Sequence, residues 1–173
     1  GSGVVSRYLA QTYPQAKVVG GDYSEQRVAQ AQAFIQQPGQ TVPNLKFQRE
    51  DLTQISLESS SVDAIVCRYV LEHMNHENAA KSVKEFYRCM RPNGKLCVID
   101  FDWLIYNLSP LTPFLKEAFQ KIQNIEGMDL NVGRHIPHWV ADAGFENVQW
   151  KTETFSFQGA ALLEESQRIT ERF

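Results

Sequence analysis

Two aspartates follow predicted strands at places where an acid can grip a polar ligand. Asp22 comes after the strand-like residues 17–20 and lies 19 residues beyond Gly3, near the ~20-residue gap at which open α/β sheets place a ribose-binding carboxylate. Asp51 follows a strand beginning at Leu45 and is suited to accept a hydrogen bond from an exocyclic amine. Either residue alone is explained equally well as a cap of the following helix or turn. Their joint placement after successive strands favours ligand binding.

Three further features could complete such a site. Gly1-Ser2-Gly3 stands directly before a helix, where missing Cβ atoms and free helix N–H groups let a ligand approach the backbone. Tyr23 and Leu52 are available to pack on a flat ring. Arg68-Tyr69 ends a predicted strand, where its backbone would flank the tail of a bound nucleoside. Together these residues predict a site for a nucleoside-containing ligand.

The histidines suggest acid–base chemistry more than metal binding. His73 follows the strand that ends at Arg68 and is either a general base or a helix-start histidine held by hydrogen bonds. His73 and His76 are two histidines three residues apart, which is poor evidence for a metal site, so we expect no metal there. For His135 and His138, which flank a predicted helix start, a surface or capping role is favoured over substrate contact.

Alternating strands and helices must position these residues. Helical periodicity predicts a helix after Ser24 that ends at Pro38-Gly39, and others over residues 4–12, 78–90 and 136–143, with Gly144 as the terminator. Strands are predicted over residues 17–20, 62–67, 95–101 and 148–157, another begins at residues 45–47 and closes on 50–52, and a last helix runs from about Ala160. This alternation implies a parallel sheet with helices on its faces.

Apolar spacing also predicts which side chains are buried. Strand 62–67 is a continuous apolar run, typical of a strand buried on both faces. The expected inward-facing helical residues are Val28, Ala31, Phe34, Ile35, Val83, Phe86, Tyr87 and Met90.

A cover is predicted at about residues 102–130, where the pattern loosens into aromatic and aliphatic residues. A helix should begin there at Thr112-Pro113. Its aromatic residues either wall a substrate pocket or fill the core beneath the cover: Trp103, Tyr106, Phe114 and Phe119. Such a cover favours a substrate with a hydrophobic body.

Bulk composition narrows the class of protein. With 173 residues, 43% hydrophobic and 21% charged, the chain has the size of one domain. A formal charge of −3 gives no reason to attract nucleic acid. Cys67, Cys89 and Cys97 lie in apolar runs and predict buried free thiols in a reducing compartment, and no run approaches the ~20 apolar residues of a membrane span. We expect a soluble cytoplasmic protein whose oligomeric state stays open.

An ordered set of motifs runs through almost the whole chain: GSGVVSRYLA, VVGGDYS, REDLTQI, VDAIVCRYVLEHM, RPNGKLCVIDFDW and GRHIPHWVADAGF. In this order they resemble the class I S-adenosylmethionine-dependent methyltransferases, most closely the ubiquinone-methyltransferase-like, or methyltransferase type 11, group. The resemblance implies a Rossmann-like, doubly wound, mostly parallel sheet with helices on both faces. It also implies S-adenosylmethionine as cofactor and a small-molecule methyl acceptor.

Roles for several residues follow from the resemblance. It places Gly1 and Gly3 near the methionine part of the cofactor and Asp22 on the ribose. Asp51 and Leu52 would contact adenine, and Arg68 would lie near the amino acid end.

The resemblance is incomplete at both ends. The family's central first strand would precede Gly1 and its seventh strand would follow the last helix, so residues 1–173 are expected to be one methyltransferase domain lacking both. Two alternatives stay open. A nicotinamide-dependent dehydrogenase shares the glycine loop and the acid, although Ser6 stands where its third glycine belongs. A methyltransferase-like module that binds without catalysis is the other.

Overall fold

The computed structural model describes residues 1–102 and 128–153, together with residues 112, 113, 116, 117 and 121. The helices are α1 (Val4–Thr12), α2 (Glu25–Ile35), α3 (His76–Cys89) and α4 (Ile136–Asp142). The strands are β1 (Val18–Asp22), β2 (Leu45–Arg49), β3 (Val62–Arg68) and β4 (Met90–Ile99). Short 3₁₀ turns lie at Leu71–His73 and Val132–Arg134.

Helix ends follow the local chemistry that the sequence predicts. Ser24 caps α2 by accepting a hydrogen bond from the Arg27 backbone N–H at 3.4 Å. Asn75 caps α3 in the same way through the Asn78 N–H at 2.8 Å. After α4, Gly144 takes φ +104°, the left-handed conformation that ends many helices.

Two parallel strand pairs form the sheet structure. β1 pairs with β2, from Val18 opposite Leu45 to Asp22 opposite Arg49. β3 pairs with β4, and the chain bulges between Met90 and Lys95, where the turn was predicted. Among the described residues the two pairs are not hydrogen-bonded to each other. The parallel pairing is confirmed, and the carboxyl ends of β1 and β2 lie side by side.

Each strand pair has its own apolar core. Between α1, α2 and the β1–β2 pair, the buried residues are Ala10, Ala31, Val42, Leu45 and Phe47. Between α3, α4 and the β3–β4 pair, they include Cys67, Leu71, Val83, Phe86 and Val132. Burying a large apolar side chain contributes about 1.5–3 kcal/mol each, so these clusters fix the strand ends that carry the site.

Three burial predictions are wrong. β3 is not covered on both faces, since Ala64 and Val66 are exposed while Cys67 is buried. Within the described chain, α3 and α4 pack against one face of the β3–β4 pair, and Cys97 lies exposed on the other. Tyr87 is 49% exposed, because it lies at the rim of α3, where its ring packs edge-on against Phe145.

The C-terminal part departs from prediction as well. Residues 148–153 are not a strand, and no described strand pairs with them. Residues 154–157 and the helix from Ala160 lie outside the described residues. In the predicted cover, residues 113, 116, 117 and 121 are helical, while Trp103, Tyr106, Phe114 and Phe119 lie outside the described residues. No helix in the described ranges is long and apolar enough to span a membrane.

Candidate functional site

The glycine loop meets Asp22. Gly3 starts α1 with φ +73°, and a Cβ on it would lie 2.4 Å from the Phe47 ring. The Gly1 nitrogen contacts Asp22 Oδ2. Asp22 Oδ1 accepts a hydrogen bond from the Ser24 N–H at 2.8 Å. One carboxylate oxygen is therefore used to hold the turn, and the other faces the loop.

A backbone hydrogen bond links Asp22 to the residue that precedes Asp51. The Glu50 N–H donates to the Asp22 carbonyl oxygen at 2.9 Å. Asp51 Oδ1 accepts from the Thr53 N–H at 2.8 Å and from Thr53 Oγ1 at 2.7 Å. These hydrogen bonds from Thr53 lower the pKa of Asp51, so it is ionised at neutral pH. Its Oδ2 accepts no hydrogen bond from the described residues.

Glu50, which directly precedes Asp51, is buried. Its carboxylate accepts hydrogen bonds from the Ser56 N–H at 3.0 Å, from the Ser56 hydroxyl and from the Gln48 amide. Burial opposes ionisation, but the hydrogen bonds from Ser56 and Gln48 outweigh it and lower the pKa of Glu50. The charged carboxylate thus folds the segment after β2 back onto that strand.

Arg88 fastens the same segment to α3. Its guanidinium donates to the carbonyl oxygens of Ile55 at 2.9 Å and Leu57 at 3.0 Å. It also pairs with Glu85 at 2.8 Å, whose Oε2 accepts from the Ile55 N–H at 2.9 Å. Leu52, in the same segment, packs against the α3 core. The loop that carries Asp51 is therefore held from both sides.

Tyr23 offers an accessible aromatic face next to Asp22. The residue is 65% exposed. The Arg49 guanidinium carbon lies 5.0 Å from the centre of its ring, and Arg49 Nε donates to the Tyr23 carbonyl oxygen at 3.2 Å. The ring is oriented at the strand end and is positioned to stack on a planar group.

The end of β3 carries a stacked column. The Arg68 guanidinium carbon lies 4.5 Å from the centre of the Tyr69 ring, which stacks on Phe101 at 4.8 Å. Tyr69 has φ +54°, a conformation that costs a non-glycine residue of order 1–3 kcal/mol and often marks a functional turn. Its N–H donates to the Ile99 carbonyl oxygen at 2.9 Å, so β4 holds the turn in place.

Two acidic residues stabilise this turn, Asp100 and Glu72. The sequence analysis did not single out either of them. Asp100 Oδ2 accepts from the N–H groups of Leu71 at 3.0 Å and Val70 at 3.3 Å, and Oδ1 accepts from Phe101 at 2.9 Å. Glu72 is 2% exposed and is hydrogen-bonded to Asp100. Burial, then the hydrogen bond and charge of Asp100, raise the pKa of Glu72 well above its ordinary range. Glu72 therefore carries a proton at neutral pH.

His73 lies next to this acid pair without bonding to it. Its side chain is 55% exposed, and Nε2 is 3.6 Å from Glu72 Oε1, too far for a hydrogen bond. Its backbone N–H donates to the Val70 carbonyl oxygen at 3.1 Å. Within the described part of the chain, no hydrogen bond or ion pair joins Arg68 or His73 to Asp22 or Asp51. The structure thus places one group of predicted site residues at the ends of the β1–β2 pair: Gly1, Gly3, Asp22, Tyr23 and Asp51. Arg68 and His73 lie on the other strand pair, at the end of β3.

The group of residues at the ends of the β1–β2 pair can bind a ligand that contains a nucleoside and a positively charged group. It comprises the ionised Asp51, one of whose oxygens accepts no hydrogen bond from the described residues, Asp22 with the adjoining glycine loop, and the exposed ring of Tyr23. Carboxylates accept from hydroxyl and amine groups, and the loop provides backbone without side chains. The residues present fit S-adenosylmethionine.

Comparisons with known proteins agree with this fit. A family model described as "Methyltransferase domain" matches residues 1–98. The chain is 25% identical over 100 residues to a ubiquinone/menaquinone biosynthesis C-methyltransferase of Desulfotalea psychrophila, covering 58% of this chain and 38% of that protein. It is 30% identical over 101 residues to a "Probable S-adenosylmethionine-dependent methyltransferase" of Mycolicibacterium smegmatis, covering 57% of this chain and 36% of that protein.

A solved structure shares the fold over nearly the whole chain. Phosphoethanolamine N-methyltransferase 2 of Haemonchus contortus, in complex with S-adenosyl-L-methionine, has a TM-score of 0.69 and 22% identity. The match covers 99% of this chain and 37% of that one. The chain spans less than half the length of the curated relatives named above. The predicted Rossmann-like, class I methyltransferase fold is confirmed.

Proposed function

Because the chain belongs to the methyltransferase domain family, we propose that the protein transfers a methyl group from S-adenosylmethionine to a small, partly hydrophobic molecule, at an oxygen, nitrogen or carbon atom. The observation that carries the proposal is the position of Asp22 and the Asp51 loop at adjacent ends of the parallel strands β1 and β2, joined by the hydrogen bond from the Glu50 N–H to the Asp22 carbonyl oxygen. Parallel α/β sheets bind ligands at this edge, outside the carboxyl ends of their strands.

Each residue of the site is assigned to one part of the cofactor. Asp22 binds the ribose hydroxyls through the oxygen that faces the glycine loop, since Ser24 occupies the other oxygen. Asp51 accepts from the adenine amine, and Tyr23 and Leu52 pack on the ring. Gly1 and Gly3 flank the methionine part. Arg68, at the end of the neighbouring strand, lies towards the amino acid end.

Methyl transfer requires little covalent chemistry from the protein itself. The cofactor supplies an already activated methyl group. The chain's own residues hold the nucleoside, align the acceptor and exclude water. Tyr69 and Phe101, fixed by Asp100, provide a rigid wall at the strand end for that alignment.

His73 is proposed as the general base for a hydroxyl acceptor. Its half-exposed ring is not engaged by the neighbouring Glu72, so it is free to take a proton from an incoming substrate. A His73→Gln variant should lose turnover on a phenol-type acceptor by ~10²-fold or more, while its affinity for S-adenosylhomocysteine stays unchanged. An equal loss of both would contradict the role.

The acceptor class is inferred from the chain beyond the cofactor site. We assign residues 102–130 as the cover of a single domain spanning 1–173, and its apolar residues favour a substrate with a hydrophobic body. The formal charge of −3 argues against a nucleic acid acceptor. Unpaired Cys67 and Cys89 suit a reducing cytoplasm.

Labelled methyl transfer tests this function. The purified protein is incubated with methyl-labelled S-adenosylmethionine and, separately, a small-molecule extract, a peptide library and nucleic acid. We expect label in small molecules, at least about tenfold less with Asp22→Asn, and no change with Asp63→Asn, an exposed aspartate paired with Arg91. Label only in peptides or nucleic acid would refute the acceptor class. Cofactor binding without any transfer would favour the non-catalytic module.

A further inference from the structure

We propose that His76, Asp129 and His135 form a binding site for a divalent transition-metal ion of the zinc type. Their ligand atoms, one from each side chain, all lie within 4.8 Å of one another. His76 begins α3, Asp129 lies in the segment before the 3₁₀ turn Val132–Arg134, and His135 precedes α4. The site is separate from the proposed cofactor site on the β1–β2 pair and does not depend on it.

The donor set selects the kind of ion. Two imidazoles and one carboxylate match zinc and its first-row neighbours, whereas Mg²⁺ and Ca²⁺ prefer oxygen ligands. Zn–N and Zn–O bonds are about 2.0–2.2 Å long, so the ligand atoms must close in slightly. His76 is exposed and can rotate to do so. Three protein ligands leave a fourth position for water or another oxygen donor.

The carboxylate is already oriented for this purpose. Asp129 Oδ1 accepts from the Asn131 N–H at 2.9 Å, while Oδ2 lies 2.8 Å from His76 Nε2. The Asp129 N–H donates to the Glu72 carbonyl oxygen at 2.7 Å. Such hydrogen bonds from neighbouring backbone groups fix the ligands of a metal site.

The Trp139 ring packs against both imidazole rings. Trp139 lies near-parallel to the His135 ring at 5.6 Å and edge-on to the His76 ring at 5.5 Å. The two imidazole rings are 4.6 Å apart. The ring of His76, at the start of α3, and the ring of His135, just before α4, therefore lie together with the Asp129 carboxylate.

The sequence alone could not reveal this cluster. The acid partner of His76 lies 53 residues away in the chain, and His135 lies further still. A bound ion would fasten Asp129 and His135 to the start of α3 at His76, three residues from His73.

Metal titration with matched variants tests the site. The protein is freed of metal with a chelator and titrated with Zn²⁺ by calorimetry, and with Co²⁺ by visible absorption. We expect one Zn²⁺ per chain, an intense tetrahedral Co²⁺ band, and no displacement by excess Mg²⁺. His76→Ala and His135→Ala should each weaken Zn²⁺ binding by more than about tenfold.

His138→Ala is the control, because His138 also pairs with an aspartate, Asp142 at 3.3 Å, but lies outside the cluster. It should bind Zn²⁺ as the wild type does. Asp129→Asn is a second test: it can keep the hydrogen bond from the Asn131 N–H but loses the carboxylate charge, so it should also weaken Zn²⁺ binding. Circular dichroism verifies that each variant is folded. Absence of Zn²⁺ binding in the wild type, or binding that His76→Ala and His135→Ala leave intact, would overturn the proposal.

Discussion

The ring of Phe47 occupies the space that a side chain on Gly3 would need: a Cβ there would lie 2.4 Å from Phe47 Cζ. Phe47 belongs to β2 and is buried, so it cannot move aside without disturbing the core. The glycine loop is therefore fixed by packing beneath it as well as by the ligand proposed above it.

Replacing Gly3 separates packing from conformation. Gly39 also has positive φ, at +77°, but a Cβ on it would meet nothing within 4 Å. Gly39→Ala should cost of order 1 kcal/mol in unfolding free energy, the strain of the backbone alone. Gly3→Ala should cost at least about 1 kcal/mol more, from overpacking against Phe47. Urea denaturation measures both, and equal losses would contradict the packing argument.

Asp51→Asn should weaken cofactor binding without unfolding the loop. The amide oxygen can still accept from Thr53, as Asp51 Oδ1 does at 2.8 Å, so stability should change by less than about 0.5 kcal/mol. Loss of the charge and of one acceptor should weaken binding of S-adenosylhomocysteine about tenfold. Calorimetry on Asp51→Asn and the exposed control Asp63→Asn checks this. Unchanged affinity in Asp51→Asn would remove Asp51 from the site.

Glu72→Gln should flatten the pH dependence of stability. Burial and Asp100 raise the pKa of Glu72 in the folded protein from 4.5 to about 9. Between these values the folded carboxyl keeps a proton that the unfolded chain releases, so stability falls as pH rises. Below pH 4.5 both states are protonated and the effect is fully recovered.

Comparison of variants isolates this effect from other titrations. The free energy of unfolding of the wild type should fall relative to Glu72→Gln by up to about 1.4 kcal/mol per pH unit between pH 5 and 8. Glu58→Gln, at an exposed position, should follow the wild type. Parallel curves for wild type and Glu72→Gln would show that Glu72 is ionised when folded.

Arg88→Lys should loosen the segment that carries Asp51. Lysine keeps the charge but cannot reach the Ile55 and Leu57 carbonyl oxygens and Glu85 together. We expect the unfolding free energy to fall by more than it does in the matched surface variant below. Arg91→Lys, at an exposed pair with Asp63, should cost under about 1 kcal/mol. Similar losses in the two variants would mean that the Arg88 network does not hold the loop.

Local signals predicted much of the fold. The bounds of α1 match the prediction, Ser24 caps α2 and Gly144 follows α4, because caps and apolar periodicity act within a few residues. Asp22 and Asp51 were predicted to follow successive strands, and the backbone hydrogen bond from the Glu50 N–H to the Asp22 carbonyl oxygen joins the ends of those strands.

Features that depend on distant contacts were missed. The pairing of Glu72 with Asp100 brings together residues from a turn and a strand end, and periodicity carries no signal for it. The exposure of Cys97 and of the β3 residue Val66 depends on which elements cover each face of a strand pair. An apolar run predicts a strand, but not what packs against it.

The most direct test of the account is calorimetric titration of the protein with S-adenosylhomocysteine and, in parallel, with NADH. We predict micromolar binding of S-adenosylhomocysteine, weakened at least about tenfold by Asp22→Asn, and no binding of NADH. Binding of NADH alone, or affinity for S-adenosylhomocysteine that Asp22→Asn leaves intact, would contradict the proposed cofactor site.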